Sequence, residues 1–377
     1  MTEPSYPAAR AAAAILARYF VRVQTAAATR ETVTAPAPDA ETIEDIIDGA
    51  FWASLRREEG YSPKISLAFL RPEHTDTPLL FEYPLTLGPA RLAKLAPAVE
   101  RHGIHLGVWR DGDELRVWGT TREIPVFCFV LEVVEPGLLV VKHRRSEAGK
   151  FVNVLVLQGD QIKVVDEGAS SLPDCPPLLL SLLGFHAPHS RGDELNVLVE
   201  LAVSMRAHHR GGLLLVIPAA TEPWRESILQ PVAYAVSPPF TKLAALLREP
   251  EDRRLTHEWH EAVDRAVETI GGLTAVDGAT VISDRYELLA FGAKIGRRHG
   301  WTRVHELIVT EPIEGSAPAV VHPAELGGTR HLSAAQFVQD QRDSLALVAS
   351  QDGRFTIFAW SPCEGMVHAH RVESLLL

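Results

Sequence analysis

Apolar residues recur with two different periods along the chain, and the change from one to the other organises it. Residues 8–24 have helical composition, and a Pro/Ala/Thr-rich stretch from Thr32 to Pro38 reads as a linker or exposed loop. Ile43, Ile46, Ile47, Ala50, Phe51 and Leu55 then repeat at helical spacing, opposite Glu41, Glu44, Asp45 and Asp48. That spacing predicts an amphipathic helix covering a sheet. From Lys64 onward short β-rich runs dominate: Ile65–Leu70, Ile104–Trp109, Leu115–Gly119, Val126–Val134, Leu138–His143, Phe151–Leu157 and Ile162–Val165. Gly, Pro, Asp and Asn separate them, as at Asp111-Gly112-Asp113, so consecutive strands joined by hairpins and short loops are expected.

The pattern changes after Pro173, Pro176 and Pro177, the Leu178–Leu183 run and the polar stretch His186–Arg191. A helix from about Asp193 presents Leu195, Leu198, Leu201, Ala202 and Met205, ends near Gly211-Gly212 and feeds a strand at Leu213–Ile217. A helix at Leu255–Ile270 precedes Gly271-Gly272 and strands at Ala279–Ser283 and Leu288–Phe291. Further strands are expected at Val304–Thr310, Leu345–Ser350 and Phe355–Trp360, with a helix opening at Gly328-Thr329 between the first two. The reading is two domains. Residues 1–187 form an α+β domain with a largely antiparallel sheet, and residues 188–377 form an α/β domain with a central mixed β-sheet flanked by helices.

Composition narrows the function. The chain has 377 residues, 46% of them hydrophobic, enough for a substantial core in about two domains. A net charge of -11 argues against general nucleic-acid binding, which needs clustered Lys and Arg. Cys128, Cys175 and Cys363 lie far apart, so neither a disulfide framework nor a zinc site is expected, and a reducing cytoplasm is the expected location. The Ala-rich run Ala8–Phe20 is broken by Arg10 and Arg18 and does not read as a signal, and no run is long enough to cross a membrane.

Two segments carry chemistry. Asp277 precedes the strand-forming run Thr280–Ile282, which sets its carboxylate at a strand's edge, where it can reach a sugar hydroxyl or a Mg²⁺ or Mn²⁺ ion. Gly278 and Ala279 leave room for a ligand to approach the backbone. Read without a ligand, Asp277-Gly278 is a turn before a strand. About fifty residues later, Gly327-Gly328-Thr329 leads into a helix whose first turn holds Arg330 and His331. Free amides, helix dipole and guanidinium converge there on an anion site. The plainer reading is Thr329 as N-cap with a surface Arg330 and His331 packed below.

His257-Glu258-Trp259-His260 spaces its histidines by three rather than four and reads as an exposed helical surface. His208-His209-Arg210 closes a helix, where cations suit the dipole. The Pro-rich stretch Pro218–Pro239, with Trp224 and Tyr234, reads as core or interface packing or as a lid or dimer-contact loop.

Asp277-Gly278-Ala279 and Gly328-Thr329-Arg330-His331 together resemble the diadenylate cyclase (DAC) domain family, whose members carry Asp-Gly-Ala on a strand and Gly-Thr-Arg-His-Arg opening a helix. The resemblance covers roughly residues 190–360, and the first half resembles the DACNV-like sensor domains placed before such cyclases. It implies condensation of two ATP into cyclic di-AMP with release of pyrophosphate, in a homo-oligomer with opposed active sites, regulated by the N-terminal domain. It also implies roles: Asp277 holding the divalent metal and the 3′-hydroxyl, Arg330, His331 and the Thr329 backbone binding the triphosphate, Gly278 and Ala279 lining the ribose and adenine, and Gly328, Ser333 and Ser350 contacting ATP.

The chain departs from the family pattern in two places. Leu332 stands where the family has a second basic residue, and Ser350-Gln351-Asp352 stands where it often has Ser followed by Glu. Lys294, Arg297 and Arg298 offer replacement charge. The alternative is therefore a catalytically silent nucleotide-binding module of the same fold. Which small molecule or protein the first half meets is not encoded in any polar constellation there.

Overall fold

The computed structural model describes residues 5–28, 35–101, 103–145, 151–166 and 197–377. Contacts divide the chain into two compact units, Met1–Val165 with Leu377, and Asp166–Leu376. The expected boundary at 187/188, the proline-marked stretch before it, the start of the helix at Asp193, and Cys175 all lie outside the described residues.

The first unit is an eight-stranded sheet in the order β2-β4-β3-β1-β5-β6-β7-β8. Its strands are β1 (Ile65–Phe69), β2 (Leu79–Thr86), β3 (His105–Asp111), β4 (Glu114–Thr121), β5 (Val130–Glu135), β6 (Leu138–Arg144), β7 (Phe151–Gln158) and β8 (Gln161–Val164). β1 and β3 run parallel and every other pair is antiparallel. Helices α1 (Pro7–Ala28), α2 (Ala40–Ser54) and α3 (Pro89–Val99) share one core with the strands. The helix predicted to cover the sheet is α2: Asp39 caps it by accepting from the Thr42 amide at 2.8 Å, and Ile43, Ile46, Ile47, Ala50 and Ala53 are all buried in that core. Fully burying one such Ile is worth roughly 1.5–3 kcal/mol, so this face outweighs any cap.

β2 and α3 are additions to the expected elements. β2 is an edge strand with mostly exposed positions and no alternation to read, and α3 contains Pro97, which reads as a breaker.

The second unit is a nine-stranded sheet in the order β10-β12-β11-β9-β15-β16-β17-β13-β14. The strands are β9 (Gly212–Ile217), β10 (Tyr234–Phe240), β11 (Ala279–Ser283), β12 (Leu288–Ala293), β13 (Leu307–Thr310), β14 (Ala319–Val321), β15 (Leu345–Ala349), β16 (Phe355–Ser361) and β17 (Met366–Arg371). β9 with β11 and β13 with β17 are parallel, and the remaining neighbours antiparallel. Helices α4 (Val197–Ala207), α5 (Lys242–Leu247) and α6 (His257–Leu273) share one core with the sheet, and α7 (Thr329–Asp340) packs in another. β9, β11 and β15 are buried at every position, as strands covered on both faces must be, which is why their sequences are continuous apolar runs.

Three elements of this sheet depart from expectation. Part of the Pro-rich stretch is β10, an exposed edge strand, where Pro238 and Pro239 are tolerated because edge positions do not need every donor. β14 is a three-residue edge strand. β17 was not legible because its inward residues include His368 and His370, both buried, and His370 Nδ1 lies 2.7 Å from the Thr310 hydroxyl. Among the described residues no helix is long and apolar enough to cross a membrane.

Gly107 in β3 tests the packing of the first sheet's second face. A Cβ there would lie 2.0 Å from the Trp118 ring, whose Nε1 donates to the Leu70 carbonyl at 2.8 Å. Gly107→Ala is expected to lower stability by about 1–3 kcal/mol and to alter the near-ultraviolet circular dichroism of Trp118, as read in urea unfolding.

Candidate functional site

The topology gathers the candidate residues at one end of the second sheet. β9 and β11 both start there, and β15, antiparallel to β9, ends there with Ala349 paired to Gly212. β12 also ends there, with Ala293 paired to Ala279. Asp277, just before β11, Lys294, just after β12, and Ser350, just after β15, therefore share one edge.

Backbone geometry fixes this edge. Gly278 has φ +120°, and a Cβ there would lie 2.4 Å from the Gly292 carbonyl carbon, so only glycine fits. On the side where a Cβ would point, the Gly278 backbone packs against Gly292 of the neighbouring strand. Gly292, at φ +62°, in turn admits the Tyr234 ring, which stacks on Phe291 at 4.7 Å between centroids. The Ala279 side chain is buried among core residues packed with α7.

The Asp277 carboxylate is 91% exposed and Lys294 Nζ donates to its Oδ2 at 2.5 Å. That hydrogen bond and charge, with a smaller contribution from Arg330, hold the Asp277 carboxyl below the usual carboxylate range. Arg330 reaches back from α7 to the same edge: the space beside Gly211 is bounded by its guanidinium and by the Ala349 carbonyl. Its charge also acts on His208, whose Nε2 lies 3.1 Å from the Thr274 hydroxyl and whose pKa is lowered first by burial and then by Arg210. Gln351 donates to the Arg210 carbonyl at 3.4 Å. Asp277, Lys294, Arg330, Arg210 and His208 thus form one polar cluster around the starts of β9 and β11.

The start of α7 differs from the capping expectation. Gly328, not Thr329, is the N-cap, and it makes no side-chain cap bond. The His331 and Leu332 amides turn back to the Gly328 carbonyl, while among the described residues no acceptor meets the amides of Thr329 and Arg330. Thr329 is exposed and Arg330 half-buried, but His331 is 4% exposed. Its ring packs edge-on to Phe358 at 6.0 Å and fills the space beside Gly327, where a Cβ would lie 2.6 Å from Nδ1. Neighbouring positions of a helix cannot both face the edge, and the His331 ring takes the inward side, beneath the Gly327–Gly328 turn.

Ser333 lies elsewhere, in a groove of about 390 Å³ with Arg297, Arg303, Leu332 and Gln336. Ser350 is half-buried in the β15–β16 turn, its amide bonded to the Arg354 carbonyl. Of the three replacement cations, Lys294 reaches Asp277 and Arg297 lines the groove beside Leu332. Arg298 turns away, its guanidinium to Glu226 at 2.7 Å and its amide to Asp340 at 2.8 Å. Gly211 was read only as a helix end and Tyr234 only as part of a stretch offering packing, a lid or a dimer contact, because a glycine after a helix and a tyrosine among prolines carry no signal for this edge. His257 pairs with Glu261 and His260 with the Thr256 carbonyl on the exposed surface of α6, as expected.

As arranged, these residues do not fit a resident divalent cation. The groups acting on Asp277 are themselves cations, Lys294 through a hydrogen bond and Arg330 through its charge.

Comparison with known proteins bears on the first unit. The sequence model of a family described as probable sensor domain DACNV matches residues 32–122, which run from before α2 through β4. No curated protein matches the chain. Among solved structures, one described as a hypothetical membrane spanning protein from Bacillus cereus matches at 15% identity and a TM-score of 0.27, over 48% of this chain and 65% of that one, a little under two thirds. So loose a likeness bears on neither fold nor function.

The buried His331 has a measurable signature. Burial, partly opposed by Asp352, pushes its pKa below the ordinary 6.5, so the unfolded chain takes up a proton before the folded one does. Its contribution to stability is complete above that ordinary value and is lost as pH falls below it. Melting temperature is expected to drop between about pH 7.5 and about pH 5, and to drop less in His331→Asn.

Proposed function

We propose that the edge formed by Asp277, Lys294 and Arg330 binds ATP, and that two such edges, opposed in a homo-oligomer, condense two ATP into cyclic di-AMP. The observation that carries this reading is the meeting of one carboxylate, two cations and two helix amides that meet no acceptor among the described residues, at a single sheet end, on the motifs Asp277-Gly278-Ala279 and Gly328-Thr329-Arg330-His331. The DACNV match before it supports control by a sensor domain.

The chemistry asks for charge stabilisation above all. The 3′-oxygen of one ribose forms a bond to the α-phosphorus of the other ATP while the bond to the bridging β-phosphate oxygen breaks, pyrophosphate leaves with that electron pair, and the hydroxyl proton passes to solvent. The same step in the opposite sense closes the ring. Arg330 and the Thr329 and Arg330 amides would hold the triphosphate, and Lys294 would face the charge growing on the leaving group. Asp277, with its lowered pKa, is a poor proton acceptor and would orient the hydroxyl. The Tyr234 ring beside Gly292 offers the adenine a stacking face, an interaction worth roughly 1–3 kcal/mol per base.

A second reading, ATP binding without turnover, is favoured by Leu332, which removes a phosphate-binding charge, and by Lys294 occupying Asp277. Arg330→Ala is expected to weaken ATP binding about ten- to hundredfold in calorimetry, as the loss of one charge-assisted bond implies. Incubation with ATP followed by mass identification is expected to yield a cyclic dinucleotide that Asp277→Asn does not make. Binding without product selects the silent module, and no binding by any nucleotide removes both readings.

A further inference from the structure

We infer that Lys294 is the built-in counter-cation of this nucleotide site, standing between Asp277 and the triphosphate where a divalent ion would otherwise bridge a carboxylate to phosphate oxygens. The inference rests on reading this edge as a nucleotide site. Hard divalent cations enter nucleotide sites by linking one or two carboxylates to the phosphates. Here that linking position is filled by a side chain of the chain itself, with Nζ 2.5 Å from Asp277 Oδ2.

The position of Lys294 is set by the backbone on both sides. It follows directly on the last β11–β12 pair, Ala279 with Ala293, and its carbonyl accepts from the Leu229 amide at 2.8 Å. The close approach of Gly278 to Gly292 holds the two strand ends together. An ammonium carries three donors, so Lys294 can keep its bond to Asp277 and donate a second to a phosphate oxygen. Its side chain remains 51% exposed, open to a ligand arriving from solvent. A divalent ion entering here would have to displace that ammonium and sit beside it and the Arg330 guanidinium. The one carboxylate it could gain is set against the charge of those two cations.

The consequence is that ATP binds with the same affinity in chelator as in Mg²⁺. Calorimetric titration of ATP into the full chain, in EDTA and in millimolar Mg²⁺, tests it alongside two variants. The wild-type constants are expected to agree within about threefold. Lys294→Met is expected to weaken binding in EDTA about ten- to hundredfold and to recover most of it in Mg²⁺, with Asp277 now open to the ion. Lys294→Arg retains the charge and is expected to remain insensitive to the metal. A wild-type affinity that rises more than tenfold with Mg²⁺ overturns the role of Lys294 and leaves the nucleotide site standing. So does a Lys294→Met protein that binds ATP in EDTA as the wild type does. Failure of the wild type to bind ATP in either buffer overturns the nucleotide reading itself, and this role with it.

Discussion

The close approach of two glycine backbones, Gly278 and Gly292, is the constraint on which the polar edge of the second sheet depends. Gly278 sits at a positive φ with its α-carbon against the facing strand, and any side chain there would force β11 and β12 apart. Because they stay together, Asp277 and Lys294 emerge side by side from the two strand ends and form a pair that neither strand dictates alone. Isolated pairs between exposed charges are worth little, and what the hairpin contributes is to set these two residues next to each other.

The same economy governs the helix opposite. His331 is withdrawn from solvent to fill the space left by Gly327, and its burial fixes which way Arg330 must point. The arginine then meets the Ala349 carbonyl at the end of β15, the next element in the chain, and Gly211, which is remote in sequence but leads into β9, the strand beside β15. A motif that looks like a string of equivalent ligands is divided by the helix into one residue that faces the edge and one that holds it up.

What could be read from the chain follows from these facts. Elements with a strong period were legible: α2 with its isoleucines, α6, and the apolar runs of β9, β11 and β15. Edge strands were not, because β2 and β10 expose most positions and bury no alternating face, and β17 was hidden by histidines that are polar in isolation and buried in the sheet. Within the site, Asp277 and Arg330 were picked out by their motifs, and the fold places both at one sheet end. The inward turn of Ala279 and His331 was not legible, since spacing tells which residues are near and alternation and helix phase tell which of them face out. Lys294 was visible as spare charge, but its bond to Asp277 is a property of strand register.

The margins of the second sheet carry one more implication. At one side β10 places Pro238 and Pro239 in the outermost strand, and at the other β14 is only three residues long. Proline has no amide hydrogen, so the first margin cannot offer a regular ladder of donors to an incoming strand, and the second is too short to nucleate one. Copies of this unit are thereby steered away from joining sheet to sheet into an extended fibril-like array, and any association is left to loops, helix surfaces and strand ends, where it can stop at a closed number.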